Sequence, residues 1–394
     1  MILLKNCRLV PELTEGWDGE RADVLLRGEL IEGIFAPGTA PQAEETLDLA
    51  GATLLPGLID LHAHLYFTDS DFAALAARSP LESMTRGLLY AQTFLRWGYT
   101  TVRDCGGADY VNIAIRDAIR RGAAPGPDII SCGLILTPTA KGNSTFGSLY
   151  CELDDPAQMM RAVRQDVVHG AEFIKYMATG SVANLGGEPG ELVTTREELA
   201  ALVRAARSCG TYVAAHCHGR DGILLCAETG VYTIEHASYM DEACVEAVLR
   251  SGSATVPTLA AAYPFWRDFD EARDGGSELA VQCRDAFEAM VRSLRMAYDA
   301  GIPVGWGQDC SMSSFLATPG MEFLARRESG LSCVQLLRQA TVDSARIAHL
   351  EDSIGTVRAG KRANVFAVRG RPDEDIAAMR EPPLAVFCGG RRFV

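Results

Sequence analysis

The chain has 394 residues, 48% hydrophobic and 22% charged, enough apolar material for one large barrel with an accessory piece or for two or three ordinary domains. That composition excludes disordered and fibrous classes. The formal net charge is −14, from 37 Lys and Arg against 51 Asp and Glu, and basic runs do not exceed pairs such as Arg120-Arg121, so a nucleic-acid groove is not expected. The opening Met1-Ile-Leu-Leu-Lys5 is too short for a secretory apolar region, nothing approaches roughly 18 uninterrupted apolar residues, and twelve cysteines are scattered without a CxxC pair. These features predict a soluble, cytoplasmic protein with reduced thiols and no membrane contact.

Residues 1–57 read as short strands and turns over Met1–Val10, Asp23–Leu26, Leu30–Phe35 and Thr46–Leu49. From 58 to 352 short β-branched runs alternate with helical patterns, the signature of repeated βα units. The strands are expected at Leu58–His62, Tyr99–Asp104, Asp128–Gly133, Glu172–Tyr176, Tyr212–His216, Tyr232–His236, Ala254–Leu259 and Ile302–Asp309, and eight is the number that closes a (β/α)₈ barrel. Thr195-Arg-Glu-Glu198 is a capping box that opens a helix running to Cys209-Gly210, Asp241 opens another that stops at Ser251-Gly252, and Gly98, Gly122 and Gly301 end others. Residues 353–394 give a last strand set (Gly355–Val357, Ala363–Val368, Leu384–Phe387). Neither end can build a core alone, so residues 1–57 and 353–394 are expected to pair into one small β-sandwich beside a barrel of residues 58–352.

Five of the seven histidines fall at or just past predicted strand ends: His62 and His64, His216 and His218, and His236. This rim carries the reactive groups of such barrels. Alternation in an extended segment puts His62 and His64 on one side, able to bind one metal ion, although an HxH pair alone also reads as a polar couple in a loop. Lys175 and Asp309 end two further strands. An ammonium repels dications, so Lys175 serves a metal site only after its neutral amine takes up carbon dioxide to form a carbamate with two oxygens. Singly, Lys175 reads more often as a surface or salt-bridged lysine and Asp309 as a capping carboxylate. His169 and His349 sit in helical patterns and read as structural.

Pro56-Gly-Leu-Ile-Asp-Leu-His-Ala-His64, Phe173-Ile-Lys-Tyr-Met-Ala-Thr-Gly180, Ala215-His-Cys-His-Gly219, Ile234-Glu-His-Ala237, Asp309 and the tail Ile354–Asn364 together resemble the amidohydrolase superfamily. The likeness is nearest to its binuclear-zinc Xaa-Pro dipeptidase, carboxypeptidase-like and imidazolonepropionase-related branch. The resemblance implies two divalent ions, zinc being expected: His62, His64 and Asp309 on the more buried, His216 and His236 on the more exposed, with carboxylated Lys175 and a hydroxide bridging them. It implies further that the hydroxide attacks a polarised amide carbonyl while Asp309 shuttles the proton to the leaving amine. His218 stands where this branch contacts the substrate carbonyl or carboxylate, with support of a metal ligand as its rival role; Tyr176 is a further candidate for substrate contact.

The chain departs from that pattern in three places. Ser181 follows Thr179-Gly180 where a glycine is common, Asn364 replaces an aspartate of the tail, and the Thr137–Ser144 loop lacks the histidine relatives often place there, leaving Lys141 as the candidate for a substrate carboxylate. The expected activity is hydrolysis of a dipeptide or N-acyl amino acid, releasing a C-terminal amino acid. The apolar segments Ala260–Trp266 and Cys310–Pro319 point to a hydrophobic one. The alternatives are a cyclic amide hydrolase, such as one acting on an imidazolone-like ring or lactam, and a non-catalytic assembly protein of the same lineage. A nucleobase deaminase of this lineage would use one ion and no bridging lysine. Homo-oligomers are common among similar proteins, and one is expected here.

Overall fold

The computed structural model describes residues 1–182 and 190–394. The apolar runs expected as barrel strands pair there as a parallel sheet in chain order: Leu58–Ala63, Tyr99–Asp104, Asp128–Thr137, Phe173–Met177, Val213–Cys217, Thr233–His236 and Ala254–Val256. Both faces are covered, which is why these strands are buried along nearly their whole length. A short strand, Tyr150–Glu152, adds to the outside of Asp128–Thr137, an element the sequence did not signal.

The expected eighth strand closes the barrel without forming a regular ladder. Thr255 and Val304 make a single parallel bridge, and the segment bonds on both sides: Gly305 N to Thr255 O at 2.8 Å, Leu61 N to Trp306 O at 2.7 Å and Asp309 N to His62 O at 2.9 Å. Pro303 has no N–H to offer. Gly305 and Gly307 press close to the first strand, where added Cβ atoms would lie 2.8 Å from Leu61 Cδ1 and 2.7 Å from His62 Cβ. The fully buried Arg326 guanidinium ties the seventh and eighth segments together through Pro257 O (2.6 Å) and Gly305 O (3.0 Å), paired with Glu322 and packed over Trp306.

Helices separate the strands at the expected places. Thr195 closes a capping box on Arg196–Ser208, and Asp241 caps Glu242–Ser251 by accepting from Cys244 N at 2.9 Å. Gly98, Gly122 and Gly301 follow three helix ends with positive φ.

The two chain ends meet in a second sheet, ordered Arg391–Arg392, Ala385–Cys388, Val365–Val368, Thr53–Pro56, Ile2–Arg8, Arg21–Arg27 and Leu30–Phe35, with Glu45–Asp48 beside Ile2–Arg8. The mixed α/β fold is thus a (β/α)₈ barrel with a small β-sandwich. Thr53–Pro56, unassigned in the sequence reading, is the joint: it runs antiparallel to Val365–Val368 and touches Arg8 on its other side. The Gly355–Val357 run contributes one bridge, Thr14 to Val357, in place of a strand. Asn364 holds this sheet to the barrel, its Nδ2 donating to Asp128 Oδ2 (3.3 Å) and its Oδ1 accepting from Gly389 N (2.7 Å).

Gly57 leads from the joint into the first barrel strand, and a Cβ there would lie 2.0 Å from Thr100 Oγ1 and 2.6 Å from its Cγ2. Thr100 is fully buried and stiff at χ1, so the clash has no easy relief. Gly57→Ala is expected to lower stability by about 1–3 kcal/mol in chemical denaturation; a value equal to wild type would show that Thr100 yields freely.

Candidate metal centre

Parallel register brings the C-terminal ends of adjacent strands level, with Met177 opposite His216, His216 opposite Glu235 and Cys217 opposite His236. Alternation then turns Lys175 inward and Tyr176 outward. Glu235 and His236 are consecutive and should face opposite ways, but His236 adopts φ 67 and Ala237 φ 48, which breaks the alternation and lets both join the rim cluster. Asp309 likewise has φ 48. Left-handed backbone at three non-glycine residues is strain held by the surrounding structure, and here it falls on candidate functional groups and a neighbour of one.

Two groups of donor atoms result. His62, His64 and Asp309 each bring one atom within 4.8 Å of the others, Asp309 Oδ1 lying 3.8 Å from His62 Nε2 and 3.7 Å from His64 Nε2. His216, His218 and His236 form a second such group. Lys175 Nζ, fully buried, stands 3.1 Å from His62 Nε2. All six of the residues expected as ligands are therefore gathered at one end of the barrel.

Four of the rings meet a partner at Nδ1, and His216 is hydrogen-bonded to the Gly180 backbone. His62 meets Glu235 Oε2 (2.7 Å), His64 the carbonyl of Gly106 (2.8 Å), His218 Ser238 Oγ (2.6 Å) and His236 Thr258 Oγ1 (2.7 Å). The Nε2 atoms of His216 and His236 are buried and have no hydrogen-bond partner among the described residues. Buried polar atoms are almost always satisfied, and two neighbouring lone pairs directed at one another's surroundings fit a cation. The donor set of imidazole and carboxylate suits a divalent metal of the zinc type.

The electrostatics agree. Burial holds His62, His64, His216 and His236 below the usual histidine range, so all four present the neutral form a metal needs. Burial pushes Asp309 upward, opposed by His62 and Lys175. Glu235 would also be raised by burial, but Arg103 and His62 overcome this and hold it at about 2. Asp60, buried beneath the first strand end, is pushed up to about 7 while accepting from His62 N (2.9 Å) and Gln308 Nε2 (2.9 Å).

A cavity of about 410 Å³ opens onto His216, His218, His236 and Asp309. Its apolar walls include Phe67, Phe146, Val182, Leu279, Phe265 and Met290. Ser181, a departure from the family pattern, also lines it.

The structure places two candidates for substrate contact away from the described cavity lining. Tyr176 is fully buried on the helix side of its strand, its hydroxyl 2.6 Å from Thr194 Oγ1, because it alternates with Lys175; it does not reach the cavity. Lys141 is exposed on its loop and is absent from the described lining. Of the aromatic segments, Phe265 lines the cavity, whereas Phe315 packs among Tyr90, Phe94 and Trp97, and Trp266 packs on Phe287. His169 and His349 stack on Tyr110 and Tyr232, outside the cavity lining.

Sequence reasoning missed Glu235, Arg103, Ser238 and Thr258. A glutamate and an arginine inside apolar barrel strands were the available signal for the first two, since charges there are stable only when paired. The serine and threonine carried none.

Fold and site define a (β/α)₈ barrel with its candidate reactive groups on the C-terminal rim. The chain belongs to the amidohydrolase family, whose sequence model matches residues 53–393, and it is a hydrolase of that superfamily. It is 28% identical to the ochratoxinase of Aspergillus niger over 86% of this chain and 75% of the relative. It is 24% identical to the imidazolonepropionase of Micrococcus luteus over 95% and 94%. Among solved structures, a prolidase complexed with N-methylphosphonate-L-proline superimposes with a TM-score of 0.87 at 26% identity, over 100% of this chain and 99% of the other. The resemblance to the dipeptidase and imidazolonepropionase branch is borne out, and divalent metals are typical of the superfamily.

His218 is 5% exposed, and burial first, then Lys175 and His62, lower it to about 3. The unfolded chain takes up that proton near pH 6.5, so between pH 3 and 6.5 the unfolded state binds more protons and stability falls on acidification. In metal-free protein, the stability deficit of His218→Gln relative to wild type is expected to shrink by about 1.4 kcal/mol per pH unit below that point. Urea titrations at neutral pH and one to two units lower measure it, and a constant deficit would show that His218 is not held neutral.

Proposed function

We propose that the protein is a binuclear, zinc-dependent amidohydrolase that cleaves dipeptides or N-acyl amino acids and releases a C-terminal, hydrophobic amino acid. The observation that carries this reading is the two donor groups meeting at the head of an apolar-walled cavity, with unpartnered Nε2 atoms on His216 and His236. His62, His64 and Asp309 would hold one ion, His216 and His236 the other, and Lys175, as its carbamate, would offer an oxygen to each. Such ions, when bound, lower the pKa of water and polarise a carbonyl oxygen.

The chain's own groups supply the rest. Asp309, held above the usual carboxylate range by burial, accepts a proton from the attacking water and passes it to the leaving amine. His218, anchored at Nδ1 by Ser238, keeps its other ring nitrogen for a hydrogen bond to the substrate carbonyl or carboxylate. Phe67, Phe146, Leu279 and Met290 exclude water and receive an apolar side chain. The prolidase neighbour's ligand is itself an N-substituted amino acid, in line with this substrate class. The imidazolonepropionase relative keeps a cyclic amide as the second reading.

The same proposal divides the chain into a β-domain of residues 1–57 and 353–394 and a barrel domain of 58–352. It places the protein in the cytoplasm, where twelve unpaired cysteines, nine of them buried, suit a reducing compartment. No described helix is long and apolar enough to cross a membrane. A homo-oligomer is proposed, with Leu81 and Leu89, exposed two turns apart on the helix Pro80–Arg96, as candidates for the contact.

Zinc-loaded protein in bicarbonate, offered dipeptides, N-acyl amino acids and cyclic amides, is expected to release free amino acid from the linear substrates, detected by mass spectrometry. Asp309→Asn should lower that rate by about 10²–10⁴-fold. Silence on linear substrates with opening of a ring would select the cyclic amide reading, and turnover of Xaa-Arg about tenfold above Xaa-Phe would overturn the apolar preference.

A further inference from the structure

The barrel interior beneath the candidate metal centre holds a charged pair where packed aliphatic side chains would be the stable choice. Arg103 is 1% exposed and Glu235 0%, with Arg103 Nη2 2.7 Å from Glu235 Oε1. A buried ion pair is seldom worth more to stability than apolar residues of the same volume, so its presence asks for another explanation. Arg103 spends its remaining donors nearby: Nε to Leu61 O at 2.6 Å and Nη1 to Thr233 Oγ1 at 3.0 Å, while its guanidinium lies over the Phe173 ring. It thereby grips the backbone immediately before His62 and, through Glu235, the His62 ring itself.

The geometry points to Arg103 and Glu235 as a positioning pair that locks His62 in the tautomer protonated at Nδ1, so that its Nε2 lone pair is permanently directed at the metal. The contact at Nδ1 sets that tautomer. Nδ1 faces Glu235 Oε2 at 2.7 Å, and a carboxylate accepts without donating. Arginine is required in place of lysine because a guanidinium stays protonated in a dry interior and has enough donors to bind a carbonyl, a hydroxyl and a carboxylate together. The inference rests on the proposed metal centre and assigns roles to two residues that touch neither substrate nor ion.

The test compares wild type, Glu235→Gln and the double variant Arg103→Met/Glu235→Gln. Zinc affinity is read by elemental analysis and competition with a chromophoric chelator, and the His62 tautomer by nitrogen NMR of histidine-labelled, metal-free protein. Wild type is expected to bind two ions and to show His62 as a single form with a bare Nε2. In Glu235→Gln the amide both donates and accepts, so His62 should become a mixture of tautomers and the affinity for one ion should fall about 10–100-fold. The double variant removes both charges of the pair together, so neither is left buried without the other, and it is expected to keep the loss of affinity.

Wild-type affinity or a single unchanged tautomer in Glu235→Gln would overturn the inference. So would recovery of affinity in the double variant, which would leave the pair a purely structural role. A wild-type protein that binds no zinc would instead overturn the metal centre itself, and the inference with it, whatever the NMR arm reports.

Discussion

Concentrating neutral imidazoles in a dry barrel mouth is the constraint on which the rest of the site depends. Nitrogen lone pairs buried without partners are unstable in the folded protein unless something positive sits between them, and His216 and His236 each present one among the described residues. Every neighbouring feature serves to keep those rings neutral and aimed. Burial holds the histidines below their usual range, and hydroxyl, carbonyl or carboxylate partners hold Nδ1 of His62, His64, His218 and His236. The cation proposed for this cluster would meet nitrogens already deprotonated and oriented, so little reorganisation would oppose its binding.

That preorganisation is stored in the backbone as well as in hydrogen bonds. His236, Ala237 and Asp309 are held in left-handed conformations, which persist only because the surrounding barrel over-determines them. The eighth segment shows how. Its glycines let it press against the first strand, and the Arg326–Glu322 pair binds it to the seventh, so Asp309 is delivered beside His62 and His64 although no regular ladder forms there. The same clamp holds Pro257 O and Ala260 N on either side of Thr258, the residue that orients His236. Barrel closure and ligand geometry are thus one problem, solved by one set of buried contacts.

The β-sandwich enters through Thr53–Pro56 and Gly57, which connect the meeting point of the chain ends to the strand carrying His62 and His64. Arg8 and Asp373, paired at 2.7 Å on both oxygens, tie the two ends across most of the chain length. The first barrel strand is therefore anchored at its N-terminal end by a structure that needs both termini, which couples folding of the whole chain to the geometry of the rim.

Fold class, the run of barrel strands, the meeting of the termini and the six candidate ligands were legible in the sequence because each rests on local pattern: apolar runs, capping residues, and histidines at strand ends. Alternation also held enough information to turn Tyr176 away from the cavity, since it neighbours the inward Lys175. What alternation could not supply was His236 beside Glu235 on one face, because that requires a left-handed residue whose strain is stable only in the finished barrel. Nor could it supply the partners of the rings. Glu235 and Arg103 are 132 residues apart, and Thr258 and Ser238 are each about a turn of loop beyond their strands. Sequence by itself determined which chemistry the rim could hold, since residue type and period are local properties. Tertiary structure alone decided which nitrogen of each ring faces inward and whether Lys141 meets the cavity, because those depend on contacts between segments that only closure of the barrel brings together.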